Sequence, residues 1–165
     1  MKISRKQTII IAGSVVIVSA ALFATSQLVL GDTEKPSYRT VAPYGKSDQD
    51  SIKWRRVSPP GQDPVFAYSD AIKDTPISVS QQPLPRSFLK NTDESVAELA
   101  KKFNATTKID AFGTPAYLGT SAKGPQSVIL TKNGLLIMIK SQQKVPNQLW
   151  AEYIQSLVIT KASDG

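Results

Sequence analysis

The sequence predicts an α+β protein: an N-terminal transmembrane helix, then an antiparallel β-sheet with two helices packed on one of its faces, in the order βββα-ββββα. Three observations lead there. Ile9 to Leu30 is an apolar run that contains no charged residue. Beyond it, short apolar or alternating stretches are bounded by Gly, Pro, Asn and Asp, the punctuation of strands and turns. Two later stretches repeat apolar residues at helical spacing.

The apolar run sets the expected domain boundaries. As a helix it would reach roughly 33 Å, close to the ~30 Å hydrocarbon core of a bilayer. Lys2, Arg5 and Lys6 precede it, whereas Asp32 and Glu34 follow. The positive-inside rule therefore places the N-terminus in the cytoplasm and the bulk of the chain outside. The boundaries read as a cytoplasmic tail at 1–7, a transmembrane helix at 8–30, a flexible tether at 31–50, an extracytoplasmic domain at 51–160 and a disordered tail at 161–165. The competing reading is a secretory signal cleaved near Ala20, where Val18-Ser19-Ala20 and Ser19-Ala20-Ala21 have small-x-small spacing. Against it, apolar sequence continues for ten more residues. A lipoprotein is excluded because the chain has no cysteine, and the run lacks the early glutamate of a type IV prepilin.

From Gly31 to Asp50 the polar, Gly- and Pro-punctuated sequence shows no period, which suggests the tether. Residues 52–57, IKWRRV, alternate and read as a first strand, ended by Ser58-Pro59-Pro60-Gly61. PVFAYSD (64–70) and ISVSQQ (77–82) follow as strands around a turn at Lys73–Pro76. The first helix is marked by Asn91 as its cap, Glu94 in capping-box spacing, and Val96, Leu99, Ala100 and Phe103 on one face, with Asn104 as its stop. Strands are then expected at 107–112, 115–120, 126–131 and 135–141. Asn133-Gly134 is the pair that a type I′ hairpin favours. LLIMI within the last strand is apolar on both faces, which places it centrally in the sheet. Pro146-Asn147 opens a second helix whose face carries Trp150, Tyr153, Ile154, Leu157 and Val158.

Composition narrows the chemistry. With no cysteine and no histidine among 165 residues, disulfides, thiolate nucleophiles, Cys–His pairs, Ser–His–Asp triads and the usual zinc sites are excluded. The net charge of +7 is mildly basic once the N-terminal cations are set aside. It suits an anionic surface or simply a solvated one. Asp48-Gln49-Asp50 lacks the further oxygen ligands of a calcium loop. Ser87-Phe88-Leu89-Lys90 has Ser-x-x-Lys spacing but lacks the Ser-Asp-Asn and Lys-Thr-Gly partners of penicillin-recognising enzymes. Gly119–Pro125 could form a phosphate-friendly turn, but it joins two strands and reads as a hairpin connection. Gln81–Pro85 is a short polyproline-like connector able to dock a partner. No cofactor or metal is expected, and no catalytic residue stands out. The candidate contact with an anionic surface is Lys53, Arg55 and Arg56, interleaved with Trp54; the alternative is that Trp54 belongs to the core and the cations are solvated.

Gly113–Leu157, together with PISVSQQPLP at 76–85, resembles uncharacterised single-pass membrane proteins of small-genome candidate-phylum bacteria. The hairpin followed by a short helix ending in Ser-Leu is loosely similar to the C-terminal domains of extracytoplasmic anti-sigma and sporulation regulators. Neither resemblance transfers a functional residue. The expected function is a membrane-anchored extracytoplasmic binding or accessory domain of the bacterial envelope. Its partners would be the lipid bilayer through Ile9–Leu30 and an envelope protein or an anionic wall or lipid surface, with no nucleic acid. The alternatives are an envelope hydrolase with a Ser/Lys or carboxylate site and a structural subunit of a membrane complex.

Overall fold

The structure, a computed structural model, describes residues 33–48 and 51–160. The tail expected at 1–7, the transmembrane helix at 8–30 and the tail at 161–165 lie outside the described residues. Among the described residues, no helix is long and apolar enough to cross a membrane. The elements are β1 (Val41–Pro43), β2 (Arg55–Arg56), β3 (Phe66–Ile72), β4 (Thr75–Pro83), α1 (Thr92–Lys102), β5 (Thr107–Ala111), β6 (Thr114–Thr120), β7 (Gln126–Lys132), β8 (Leu135–Ser141), α2 (Asn147–Ser156) and β9 (Leu157–Ile159). The α+β class is as expected, and β1 and β9 are additional to the expected series.

Seven strands form one antiparallel sheet in the order β2-β3-β4-β8-β7-β6-β5, while β1 and β9 pair with each other in a separate ribbon. Two meanders meet where β4 pairs with β8, Val79 opposite Ile139. β8 is thus the fourth of seven strands, the central position that its double apolar face requires. Its turn to β7 uses Asn133 and Gly134 at φ 53° and 74°, the type I′ conformation expected of that pair.

The helices do not share a face. On one side, Val128, Leu130, Ile137 and Ile139 form a core with Trp150, Tyr153 and Ile154 of α2. On the other, Ile129, Leu136 and Met138 pack with Val96, Leu99 and Ala100 of α1. The expectation of one covered face is therefore corrected to a three-layer arrangement. The cause is the hairpin β7–β8, whose pleat alternates apolar side chains to both sides. Leaving Ile129, Leu136 and Met138 in water would forfeit roughly 1.5–3 kcal/mol for each. The segment that follows α1 lies close against β6: a Cβ added at Gly119 would stand 2.7 Å from the carbonyl oxygen of Asn104.

Several expected boundaries move. The strand expected at 52–57 is ordered as a ladder only at Arg55–Arg56, because Pro59, Pro60 and Gly61 follow so closely. Asn91 precedes α1, but its side chain makes no bond to the helix backbone; its Nδ2 donates instead to Glu94 Oε2 at 3.2 Å. Phe112 leaves the strand expected at 107–112 and forms a turn with Gly113, at φ 53° and 86°. The second helix ends at Ser156, and Leu157 and Val158 continue as strand β9.

β9 exists because the segment expected to be a flexible tether is partly structural. Thr40, Val41 and Ala42 are fully buried, and β1 aligns Val41 with Ile159 and Pro43 with Leu157. On its other edge β1 meets a side chain rather than a strand. Val41 N–H donates to Gln81 Oε1 at 2.8 Å, and Gln81 Nε2 donates to Val41 O at 2.6 Å. The carboxamide of Gln81 presents one acceptor and one donor, the same pair that a neighbouring strand would offer. Tyr38 adds a second tie, its hydroxyl donating to Gln81 O and its ring lying 5.5 Å from that of Phe66.

Replacing Gln81 by Leu keeps the volume while leaving a buried N–H and C=O of Val41 without partners. The expected loss is about 2–4 kcal/mol of stability, measured as a lowered urea midpoint. An unchanged midpoint would show that β1 is dispensable.

Candidate functional site

The cationic stretch is divided by the pleat. Arg56 lies opposite Phe66 and Arg55 opposite Ala67, so the two arginines project to opposite sides of the sheet. Arg56 is half-buried and held by its own loop: Nε donates to Ser58 Oγ at 3.3 Å, Nη2 to Gln62 O at 3.1 Å, and Nη1 stands 3.9 Å from Glu34 Oε1. Arg55 is half-buried and Lys53 exposed. Trp54 between them is buried in the core, edge-on to Tyr68 at 4.8 Å, and its Nε1 has no hydrogen-bond partner. The three cations are thus not one flat surface.

A polar cluster lies on the α2 side, near the β3–β4 turn. Asp70 pairs with Lys46, and its Oδ1 accepts the N–H of Ala71 at 2.8 Å. Its Oδ2 accepts the Tyr153 hydroxyl at 3.0 Å, and the Tyr153 and Tyr68 hydroxyls are 3.3 Å apart. Burial, with the neighbouring Tyr68 and Asp70, pushes the Tyr153 hydroxyl far above the ordinary phenol range. Burial does the same to Tyr68. Both phenols therefore act as neutral hydrogen-bond donors rather than as bases. The cluster ties β3, α2 and the turn carrying Lys46 together.

Opposite, on the α1 side, one rung crosses five strands. Ser69 faces Ser78, Ser78 faces Lys140, Lys140 faces Ser127, and Ser127 faces Gly119. Directly opposed residues bring their Cβ atoms within about 4.5–5.5 Å of each other. Lys140 is half-buried, and desolvation lowers its ammonium to about 8. A lysine whose ammonium is destabilised by burial, with hydroxyls on both neighbouring strands, is the composition of a Ser–Lys nucleophilic pair.

The other expected motifs resolve more simply. Ser87 and Lys90 are both exposed in the segment that leads to α1. Residues 121–125 are a hairpin connection, closed by Ser121 N–H to Pro125 O at 2.9 Å. Gln81–Pro83 belong to β4 rather than to a connector, and Leu84 packs against the α1 core. Asp48 is exposed, while Gln49 and Asp50 lie outside the described residues. Among the described residues, no group of three or more carboxylates could hold a metal ion.

Three polar residues escape motif reasoning. Gln126 Oε1 accepts the N–H of Val145 at 2.7 Å and the indole N–H of Trp150 at 2.9 Å, fixing the start of α2 as Gln81 fixes β1. Its signal is parity, since Gln126 alternates with Val128 and Leu130 on the buried side. Lys140 had no comparable signal, because its significance comes from register with Ser78 and Ser127. Asp70 is likewise defined by partners 24 and 83 residues away.

No protein-family model, curated protein or solved structure matches this chain.

The lysine and tyrosine shifts fix the sign of a pH dependence. Between about pH 8 and the ordinary lysine value of 10.5, the unfolded chain holds a proton that folded Lys140 has released, so stability rises with pH there. Burial of Lys132 acts in the same sense. Above the ordinary phenol value of 10.0, the unfolded chain loses protons that folded Tyr68 and Tyr153 retain, and stability falls. A plot of the unfolding midpoint against pH should therefore climb above pH ~8 and decline above pH ~10. K140M should flatten the climb without removing the decline. The climb should be small, because Lys140 is half exposed and water screens its charge.

Proposed function

We propose that this chain is a membrane-anchored extracytoplasmic domain of the bacterial envelope that works by binding, either to an envelope protein or to an anionic wall or lipid surface. One observation carries the reading: the charge-free run Ile9–Leu30 is long enough to span a bilayer and follows three cations, Lys2, Arg5 and Lys6. Gln81, Gln126, Asp70 and Tyr153 join structural elements to one another.

Because the chain has no cysteine, single cysteines can report its topology. In spheroplasts, S121C should react with a membrane-impermeant maleimide, and S4C should react only after lysis. The protein should also stay in the membrane pellet after carbonate washing. Labelling of S4C from outside, or release by carbonate, would overturn the anchored orientation.

A second reading, an envelope hydrolase, is favoured by one feature: the rung in which Ser78 and Ser127 flank Lys140. In that case a fluorophosphonate probe should label the full-length protein, and labelling should disappear in S78A or S127A and fall sharply in K140M. Absence of labelling across the working pH range of the probe would remove this reading.

A further inference from the structure

The register shows from which side the chain comes into the sheet. Thr33 bridges Arg55 in antiparallel sense, and Glu34 N–H donates to Trp54 O at 3.3 Å. Moving from Thr33 to Glu34, the chain therefore travels away from the level of Arg56. It arrives from the strand end at which Arg56 faces Phe66, Phe66 faces Gln81, and Gln81 faces Ile137. At that same end β4 leaves the sheet into residues 84–91, β8 begins after the Asn133-Gly134 turn, and β5 turns into β6 at Phe112-Gly113. The opposite end carries the loops with Lys73, Lys123 and Lys144.

Two large apolar side chains stand in water at the arrival end: Leu89 is 64% exposed and Phe112 65%. Phe112 is the more informative. It holds the same turn conformation as Asn133, φ 53° at each, but Asn tolerates the left-handed region and a bulky residue does not. The turn thus accepts a backbone penalty to hold an aromatic ring outside the fold. Leu89 is held comparably by its surroundings. Phe88 beside it packs into the α1 core, and Phe88 O accepts the Thr92 hydroxyl at 3.0 Å, so Leu89 is left pointing outward from an ordered segment.

We propose that this end of the sheet rests on the bilayer that holds Ile9–Leu30, with Leu89 and Phe112 set into the boundary between lipid headgroups and acyl chains. The proposal deepens the anchored reading above and depends on it. Arg86 and Lys90 flank Leu89 and are exposed, as are Asp93 and Glu94 at the start of α1. Asp110, exposed in the Phe112 turn, adds one more carboxylate; these groups carry no net positive charge, so the contact draws on apolar insertion and persists in high salt. Neighbouring strands are turned by some 20–25° from one another. The Leu89 and Phe112 contacts are therefore tested separately.

The test uses full-length protein in phospholipid vesicles, with an environment-sensitive dye on one introduced cysteine and spin-labelled quencher lipids. S87C reports on the Leu89 segment, T114C on the Phe112 turn, S121C on the opposite end, and A20C on the apolar run. Quenching at S87C and T114C should exceed that at S121C roughly three-fold, as for interfacial side chains, and should not change in high salt. Adding L89D to the S87C protein, or F112D to the T114C protein, should bring quenching down to the S121C level. Both substituted side chains are exposed, so unchanged thermal midpoints verify folding. If A20C is quenched while S87C and T114C match S121C, the docking is overturned and the anchor stands. If A20C is not quenched, the anchored reading itself fails. Quenching at S87C or T114C that survives its own Asp substitution would overturn the role of that side chain.

Discussion

The structure depends on one constraint: the central hairpin β7–β8 is apolar on both sides of its pleat. A strand with one wet face could have left the sheet as the floor of a two-layer domain. Here Val128, Leu130, Ile137 and Ile139 require cover on one side and Ile129, Leu136 and Met138 on the other. The two amphipathic helices are the available cover. Neither alone spans a seven-stranded sheet, since helices of 11 and 10 residues extend only about 15 Å each. The shortfall on the α2 side is met by the β1–β9 ribbon, which brings Val41 and Leu157 onto the same core.

That recruitment requires buried polar backbone to be satisfied away from any sheet edge. Two glutamines supply what is needed. Gln81 pairs with both backbone groups of Val41, and Gln126 receives the backbone of Val145 and the indole of Trp150. Each lies at an inward position of a strand where an aliphatic residue would otherwise stand. A carboxamide costs desolvation there unless its donor and acceptor are both engaged. Gln81 engages both with Val41, and Gln126 completes its set by donating to Thr120 Oγ1 at 3.0 Å. These bonds give the ribbon and α2 fixed positions that apolar contact alone would not specify.

Legibility in the sequence followed the range of the interactions. The hairpin turn at Asn133-Gly134, the strand at 135–141 and the apolar face of α1 are local patterns, and each is where the residues indicate. The double apolar face of LLIMI was also legible as a central strand, and it carries a consequence for the layers. A strand wet on neither side is incompatible with both helices on one side. The tether reading failed for the same physical reason that makes β1 interesting. Val41 and Ala42 sit among polar residues, and their burial is caused by Gln81 and Ile159, which lie far along the chain. Of the site, Lys53, Arg55 and Arg56 could be seen as cations but not as residues parted by the pleat. The rung at Lys140 follows from four strand registers at once and leaves no local trace.

The folded state of residues 38–43 also alters what an anchored domain could do. A flexible tether of some 20 residues would let the domain wander about 25 Å from its anchor. It could then sample partners well clear of the bilayer. Only Gly31 and Asp32 separate Leu30 from Thr33, a span of at most about 11 Å when extended, and Thr33 is already bridged to Arg55. Under the anchored reading the sheet therefore sits at the membrane surface with the strand end of Leu89 and Phe112 nearest to it, and the lysine-bearing loops face away. A partner would have to come to the bilayer to be bound, or lie within it. That geometry favours a neighbour in a membrane assembly over a distant polymer.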